Sequence, residues 1–212
     1  MFPIALKLAG RQVLLVGAGR VGRRKLEKII KSGGRVRLVE STPDKYVRDL
    51  AESGQVELAA EFTTATLAGI SLVFTASDDP QLNQAVANEA RKLGIWVNMA
   101  DDPAGSDFTL PALVERGDFC LTVSTGGASP ALAAGVAEKL RALFGPEYKA
   151  LTSLLAEIRP QVLVAGLSQK QREDVFRQLA ESKEILAALS SGDEALARRL
   201  AANLMTRHET GR

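Results

Sequence analysis

Gly17, Gly19, Gly22, Glu40 and Asp101 carry the chemistry this sequence offers. The glycines lie in Val16-Gly17-Ala18-Gly19-Arg20-Val21-Gly22, between the apolar run Gln12–Val16 and a helical pattern that begins at Arg20. Strand, glycine turn and helix in that order form a dinucleotide-binding fingerprint. Gly17 permits the tight turn, Gly19 lets the backbone approach a pyrophosphate, and Gly22 lets the helix pack close on the strand. The loop of Gly17, Ala18, Gly19, Arg20, Val21 and Gly22 then presents free N–H groups and the positive end of a helix to phosphates. Arg35–Glu40 reads as the next strand, ending in an acid about 20 residues past the loop. A carboxylate there accepts hydrogen bonds from the adenosine ribose hydroxyls, which favours NAD over NADP. A glycine-rich turn in some other βαβ unit is the plainer alternative; strand, spacing and acid together argue against it.

A second group follows the strand Ile95–Asn98, in Met99-Ala100-Asp101-Asp102-Pro103. Carboxylates at the end of a parallel strand lie where a bound nicotinamide sits. Adjacent side chains diverge, so one of the two faces the cofactor. Asp102, before a proline, has the character of a turn former. Asp101 is then the expected proton acceptor, set against the plainer reading of an ordinary turn acid. Other chemistries find little support. Neither Tyr46 nor Tyr148 heads a Tyr-x-x-x-Lys pattern, the single histidine is His208 in the tail, and the single cysteine is Cys120. That composition predicts no histidine acid–base and no metal site.

These residues need a scaffold, and the rest of the chain supplies one. Helical patterns over Arg20–Ser32, Asp44–Ser53 and Gln81–Leu93 alternate with apolar runs at Val56–Ala59, Leu72–Ala76 and Ile95–Asn98. The alternation predicts an α/β fold with a doubly wound, Rossmann-type parallel sheet. Ligands bind beyond the carboxyl ends of such strands, so Ser77 and Asp78, in the turn after Leu72–Ala76, join the expected cofactor site. Met1–Leu6 reads as an edge strand. Arg23, Arg24, Lys25, Lys28 and Lys31 are expected on a solvated outer helix face. From Pro111 the pattern changes. Phe119–Ser124 is a sixth strand whose flanks predict a buried Cys120, and it runs into Thr125-Gly126-Gly127-Ala128-Ser129-Pro130. Ser129 caps a helix over Ala131–Leu143, with Pro130 at its first position. That makes a second anion-receptive loop, or a plain strand–helix turn. After Gly145-Pro146 the chain reads as helices near 147–165, 168–182, 183–190 and 193–205, with Val162–Ala165 ambiguous and 207–212 frayed. The expected organisation is a dinucleotide-binding domain over 1–112, a dimerisation and substrate-cleft segment over 113–145, and a helical domain over 146–212.

At 212 residues, 46% hydrophobic and 25% charged, the composition is that of an ordinary globular protein. The net charge of +2 gives no electrostatic case for a nucleic-acid partner. No apolar run approaches the ~20 residues that span a bilayer, and no leader pattern opens the chain. The expected location is cytoplasmic.

Phe2-Pro3-Ile4, Val16–Gly22, Ala76-Ser77-Asp78-Asp79-Pro80, Asn98–Asp102 and Ser124-Thr125-Gly126-Gly127-Ala128-Ser129-Pro130-Ala131-Leu132 occur in this order. In that, the chain resembles the precorrin-2 dehydrogenases, both stand-alone enzymes and the N-terminal part of multifunctional siroheme synthases. The resemblance is specific as far as residue 143. It implies NAD-dependent oxidation of precorrin-2 to sirohydrochlorin, followed in some members by ferrous iron insertion, in a homodimer built largely from the segment after Pro111. Asp101 matches the aspartate implicated in both activities. Thr125 matches a hydroxyl residue of the substrate cleft, and Gly126, Gly127 and Ser129 belong to its loop. The chain departs from the family after Leu132, where arginines are common and Ala134-Gly135-Val136-Ala137 stands instead. Arg116, Lys139 and Arg141 are the cations left to meet the substrate's carboxylates, so weak or absent iron insertion is expected. A different class of function, a non-catalytic NAD-sensing module of a transporter, shares the glycine loop and the strand-end acid. It gives the Thr125 loop and the helical region no role.

Overall fold

A computed structural model describes the backbone of residues 1–210 and the side chains of residues 1–207. The chain divides into two compact units after Leu110. In the first, β1 (Gln12–Val16), β2 (Arg35–Val39), β3 (Val56–Ala59), β4 (Ile70–Thr75) and β5 (Trp96–Met99) form one sheet in the order β3-β2-β1-β4-β5. Every pairing is parallel. Strand residues alternate between faces, so the Val- and Leu-rich runs feed two cores. Val13, Leu15, Leu38 and Phe74 meet Leu26 and Ile29 of α1 (Arg20–Lys31) and Val47 of α2 (Lys45–Glu52) on one side. Leu14, Val16, Val73 and Val97 meet Val86, Ala87 and Ala90 of α3 (Pro80–Lys92) on the other. Caps fix where the helices begin. The Asp44 carboxylate accepts the Val47 N–H, and that of Asp79 accepts the Gln81 and Leu82 N–H groups, with Pro80 at the first helical position.

Two expectations for this unit are corrected. Met1–Leu6 forms no strand. The sheet edges are β3 and β5, and the N-terminal apolar run pairs with neither, leaving Met1, Phe2 and Ile4 exposed. Lys25 does not lie with Arg24, Lys28 and Lys31 on the solvated face. It falls beside the buried stripe Gly22, Leu26 and Ile29, and its amine turns inward.

The second unit opens with an antiparallel hairpin, β6 (Ala112–Arg116) and β7 (Phe119–Val123). The expected single strand therefore has a partner, joined through Gly117-Asp118. Cys120 is exposed, contrary to expectation. Residues alternate across a two-stranded sheet, and Cys120 sits on the face away from α4 (Pro130–Leu143). Phe119, Phe144 and Tyr148 pack ring against ring where the hairpin meets α5 (Glu147–Val164). α6 (Gln169–Glu181), α7 (Lys183–Ser190) and α8 (Glu194–Thr210) close a helical core around Leu154, Ile158, Val162, Leu179 and Ile185. The ambiguous stretch Val162–Ala165 is the end of α5: Val162 is buried, while Val164 is exposed. α8 continues to Thr210, through residues expected to fray; Gly211 and Arg212 lie outside the described residues, as does the side chain of His208.

Candidate active site

The strand order reverses between β1 and β4, and the loops after those two strands meet there. Gly17 adopts φ +90°, a left-handed conformation that favours glycine. A Cβ at Gly17 would stand 2.6 Å from Ala76 O and from Ser77 N. One at Gly22 would lie 2.0 Å from the Gly17 carbonyl oxygen, which is how closely α1 approaches the end of β1. Gly19 differs from both. A Cβ there meets nothing within 4 Å, so its backbone faces open space at the start of α1. The loop is thus tight toward the protein and open toward a ligand, as a pyrophosphate cradle needs. The side chain of Arg20, exposed and without a hydrogen bond or ion pair among the described residues, stands at the first position of α1 beside half-exposed Val21.

Glu40 lies across that loop. Its Oε2 accepts the Ala18 N–H at 2.8 Å, and its Oε1 accepts the Thr42 N–H at 3.1 Å. Oε1 also accepts the Thr42 hydroxyl at 3.4 Å, while Oε2 keeps a further lone pair, which suits a ribose hydroxyl. A carboxylate so placed repels a 2′-phosphate.

The turn after β4 and the loop after β5 join through one side chain that the sequence did not single out. Asn83 of α3 is fully buried. Its Oδ1 accepts the Ser77 hydroxyl at 2.7 Å and the Ser77 N–H at 3.3 Å. Its Nδ2 donates to Ser77 O and to Asp101 Oδ2, both at 3.0 Å. The Ser77 hydroxyl is therefore held inward, while Asp78 is exposed beside it. Asp101 is exposed at the carboxyl end of the sheet, where the Ala100 N–H bonds Thr75 O of β4 at 2.9 Å. Asp102 is the turn former: its Oδ1 accepts the Gly105 N–H at 2.9 Å. The signal for Asn83 was present in the sequence, as a polar residue on the stripe Asn83, Val86, Ala87, Ala90.

Lys25 braces the loop from the opposite face. Its Nζ donates to Asn98 Oδ1 at 2.6 Å and lies 5.1 Å from the centre of the Phe74 ring. Asn98 in turn donates to Phe108 O at 2.8 Å. Burial, with Lys28 nearby, lowers the Lys25 pKa to about 8.

In the second unit the Thr125 loop is held mainly by its own hydroxyls. Thr125 Oγ1 accepts the Ser129 N–H at 3.0 Å and donates to Ser129 O at 3.1 Å. The Ser129 hydroxyl accepts the Leu132 N–H as the cap of α4. Gly126 and Gly127 adopt φ +65° and +92° with open space around them. Two of the three candidate cations are already committed. Arg116 donates to Phe144 O and Arg141 O, at the carboxyl end of α4, and Arg141 donates to Leu113 O and pairs with Glu138. Lys139 is the exposed cation that remains. Among the described residues, no group of three or more His, Cys, Asp or Glu side chains is placed to hold a metal ion, and no helix is long and apolar enough to cross a membrane.

A parallel sheet of this order, with a glycine cradle and a strand-end acid at its switch point, defines a dinucleotide-binding domain of Rossmann type. Residues 4–112 match the family model described as putative NAD(P)-binding, and the chain belongs to that family. It is 35% identical over 210 residues to siroheme synthase 1 of Aeromonas salmonicida, covering 99% of this chain and 45% of that protein. It is 36% identical over 205 residues to the siroheme synthase of Pseudomonas putida, covering 90% of this chain and 44% of that one. The chain thus spans less than half the length of these curated relatives. The solved structure of SirC, precorrin-2 dehydrogenase, superposes with a TM-score of 0.76 at 23% identity, covering 96% of this chain and all of that one, a likeness of fold.

Proposed function

We propose that this chain oxidises precorrin-2 to sirohydrochlorin with NAD. The observation that carries the reading is the junction of the glycine cradle and Glu40 with Asp101, bridged by Ser77 and Asn83. Its support from outside is the likeness to siroheme synthases along nearly the whole chain. Bound NAD supplies a hydride acceptor. The chain does the rest. Gly17, Ala18, Gly19, Arg20, Val21 and Gly22 receive the pyrophosphate, and Glu40 selects NAD by accepting the ribose hydroxyls. Ser77 and Asp78 border the cofactor from the turn after β4. Removing a hydride from a reduced tetrapyrrole also releases a proton, which the Asp101 carboxylate accepts or relays. Gly126, Gly127, Thr125 and Ser129 form the loop that meets the substrate's carboxylates.

The domain reading keeps 1–112 for the cofactor, 113–145 for the cleft and dimer contact, and 146–212 for the helical region. The protein acts as a cytoplasmic homodimer. A two-stranded sheet is marginal alone, and Cys120 and Thr122 of β7 and Leu132 and Leu143 of α4 are exposed, surface that a second copy would cover. The test is an anaerobic assay with precorrin-2 and NAD. NADH and sirohydrochlorin should appear in equal amounts, and the absence of both refutes the reading.

A further inference from the structure

We infer that Asn83 is a positioning residue, whose buried amide registers the Asp101 carboxylate against the cofactor-side turn and leaves Asp101 Oδ1 as the oxygen that takes the proton. The inference rests on Asp101 being the proton acceptor.

A core position on α3 would ordinarily be apolar, as Val86, Ala87 and Ala90 are. Burying an amide there is tolerated because all four of its hydrogen-bonding sites are used. The Ser77 N–H and hydroxyl both point at Oδ1, which fixes the orientation of the amide. Nδ2 then has to face Ser77 O and Asp101. The N–H donor at 3.0 Å occupies Asp101 Oδ2 and leaves Oδ1 without a hydrogen bond from the described residues, open to accept a proton. Asp101 is otherwise exposed on a loop, and Asn83 is its one hydrogen-bond partner among the described residues. Without that bond the carboxylate would rotate freely, and proton transfer depends on its placement. The same amide reaches the cofactor loop, because the Ser77 backbone abuts Gly17. One side chain thereby sets the distance between the cradle and the base.

The experiment compares wild type, Asn83→Ala, Asn83→Asp and Asp101→Asn for NAD affinity and for turnover of precorrin-2. Asn83→Ala is expected to lower kcat about tenfold to a hundredfold, the worth of a hydrogen bond to a charged group. KM for precorrin-2 and Kd for NAD should stay within about threefold of wild type. Asn83→Asp keeps the volume but sets a second carboxylate against Asp101. It should lose at least as much kcat, and it serves as the test if the alanine variant does not fold. A kcat within about threefold of wild type in a variant that binds NAD overturns the inference. So does a loss explained by weaker NAD binding, since Asn83 would then only hold the Ser77 turn. Failure of the underlying reading looks different: wild type would be inactive, or Asp101→Asn fully active.

Discussion

Alanine at each of the three loop glycines is expected to separate folding from cofactor binding. At Gly19 the backbone stands at φ −62°, ψ −175°, a conformation open to any residue, and an added Cβ meets nothing within 4 Å. Gly19→Ala should therefore fold as well as wild type, and restricting the unfolded chain adds about 0.4–1 kcal/mol of stability. The same methyl group would stand in the proposed path of the pyrophosphate to the backbone, so Kd for NAD should rise at least about tenfold, or about 1.4 kcal/mol. At Gly22 the added Cβ would fall 2.0 Å from the Gly17 carbonyl oxygen. An ordinary carbon–oxygen contact is about 3.3 Å, so α1 would have to withdraw by about 1 Å. Overpacking of that kind costs about 1–3 kcal/mol, which for a chain of this size lowers Tm by about 2–12 °C. Gly17→Ala adds the strain of a positive φ, about 1–3 kcal/mol more. Thermal melts of the apoprotein and calorimetric NAD titrations read both effects. The expected Tm order is Gly19→Ala at or above wild type, then Gly22→Ala, then Gly17→Ala. A Gly19→Ala variant that binds NAD like wild type, or a Gly22→Ala variant with an unchanged Tm, refutes the reasoning.

Glu40→Ala removes the proposed ribose acceptor and leaves the Ala18 N–H without its partner, so NAD binding should weaken by about 1–3 kcal/mol. A Kd within about twofold of wild type would refute that role. Lys25 titrates at about 8 in the fold against 10.5 in the unfolded chain, so between those values the unfolded state holds the extra proton. The stability of wild type relative to Lys25→Met should therefore rise with pH across that window and be flat below it. Partial solvation limits the gain to about 2 kcal/mol; denaturant titrations with a flat difference from pH 7 to about 10 would contradict the burial of the amine. Iron insertion should be weak or absent, because Arg116 and Arg141 are spent on backbone carbonyls. Enzyme-dependent siroheme formation from sirohydrochlorin and ferrous iron, at a rate comparable to dehydrogenation, would show otherwise.

The sheet was legible because its inner strands β1 and β4 are buried on both faces, and so read as nearly continuous apolar runs between helical patterns. The glycine loop was legible because each glycine answers a separate steric demand. The N-terminal run Met1–Leu6 misled because apolar character marks a strand only where a sheet edge receives it. Cys120 misled because flanking apolar residues do not tell a strand buried on both faces from one in a two-stranded hairpin. The missed strand Ala112–Arg116 had its signal in Gly117-Asp118, a turn between two short apolar runs. Lys25 and Asn83 needed the helical phase read residue by residue. Each is a polar group set beside or on a buried stripe, and neither its partner in β5 nor the loop after it is near in sequence.

The central claim is that the Asp101 carboxylate takes the proton while the glycine cradle holds the cofactor. Its most direct test is the anaerobic oxidation of precorrin-2 by wild type and Asp101→Asn at equal NAD occupancy. Asp101→Asn is expected to bind NAD with Kd within about threefold of wild type, since the proposed role of its side chain is proton transfer and not phosphate binding, and to lose turnover by about a hundredfold or more. Unchanged turnover in that variant would remove Asp101 from the mechanism and contradict the account.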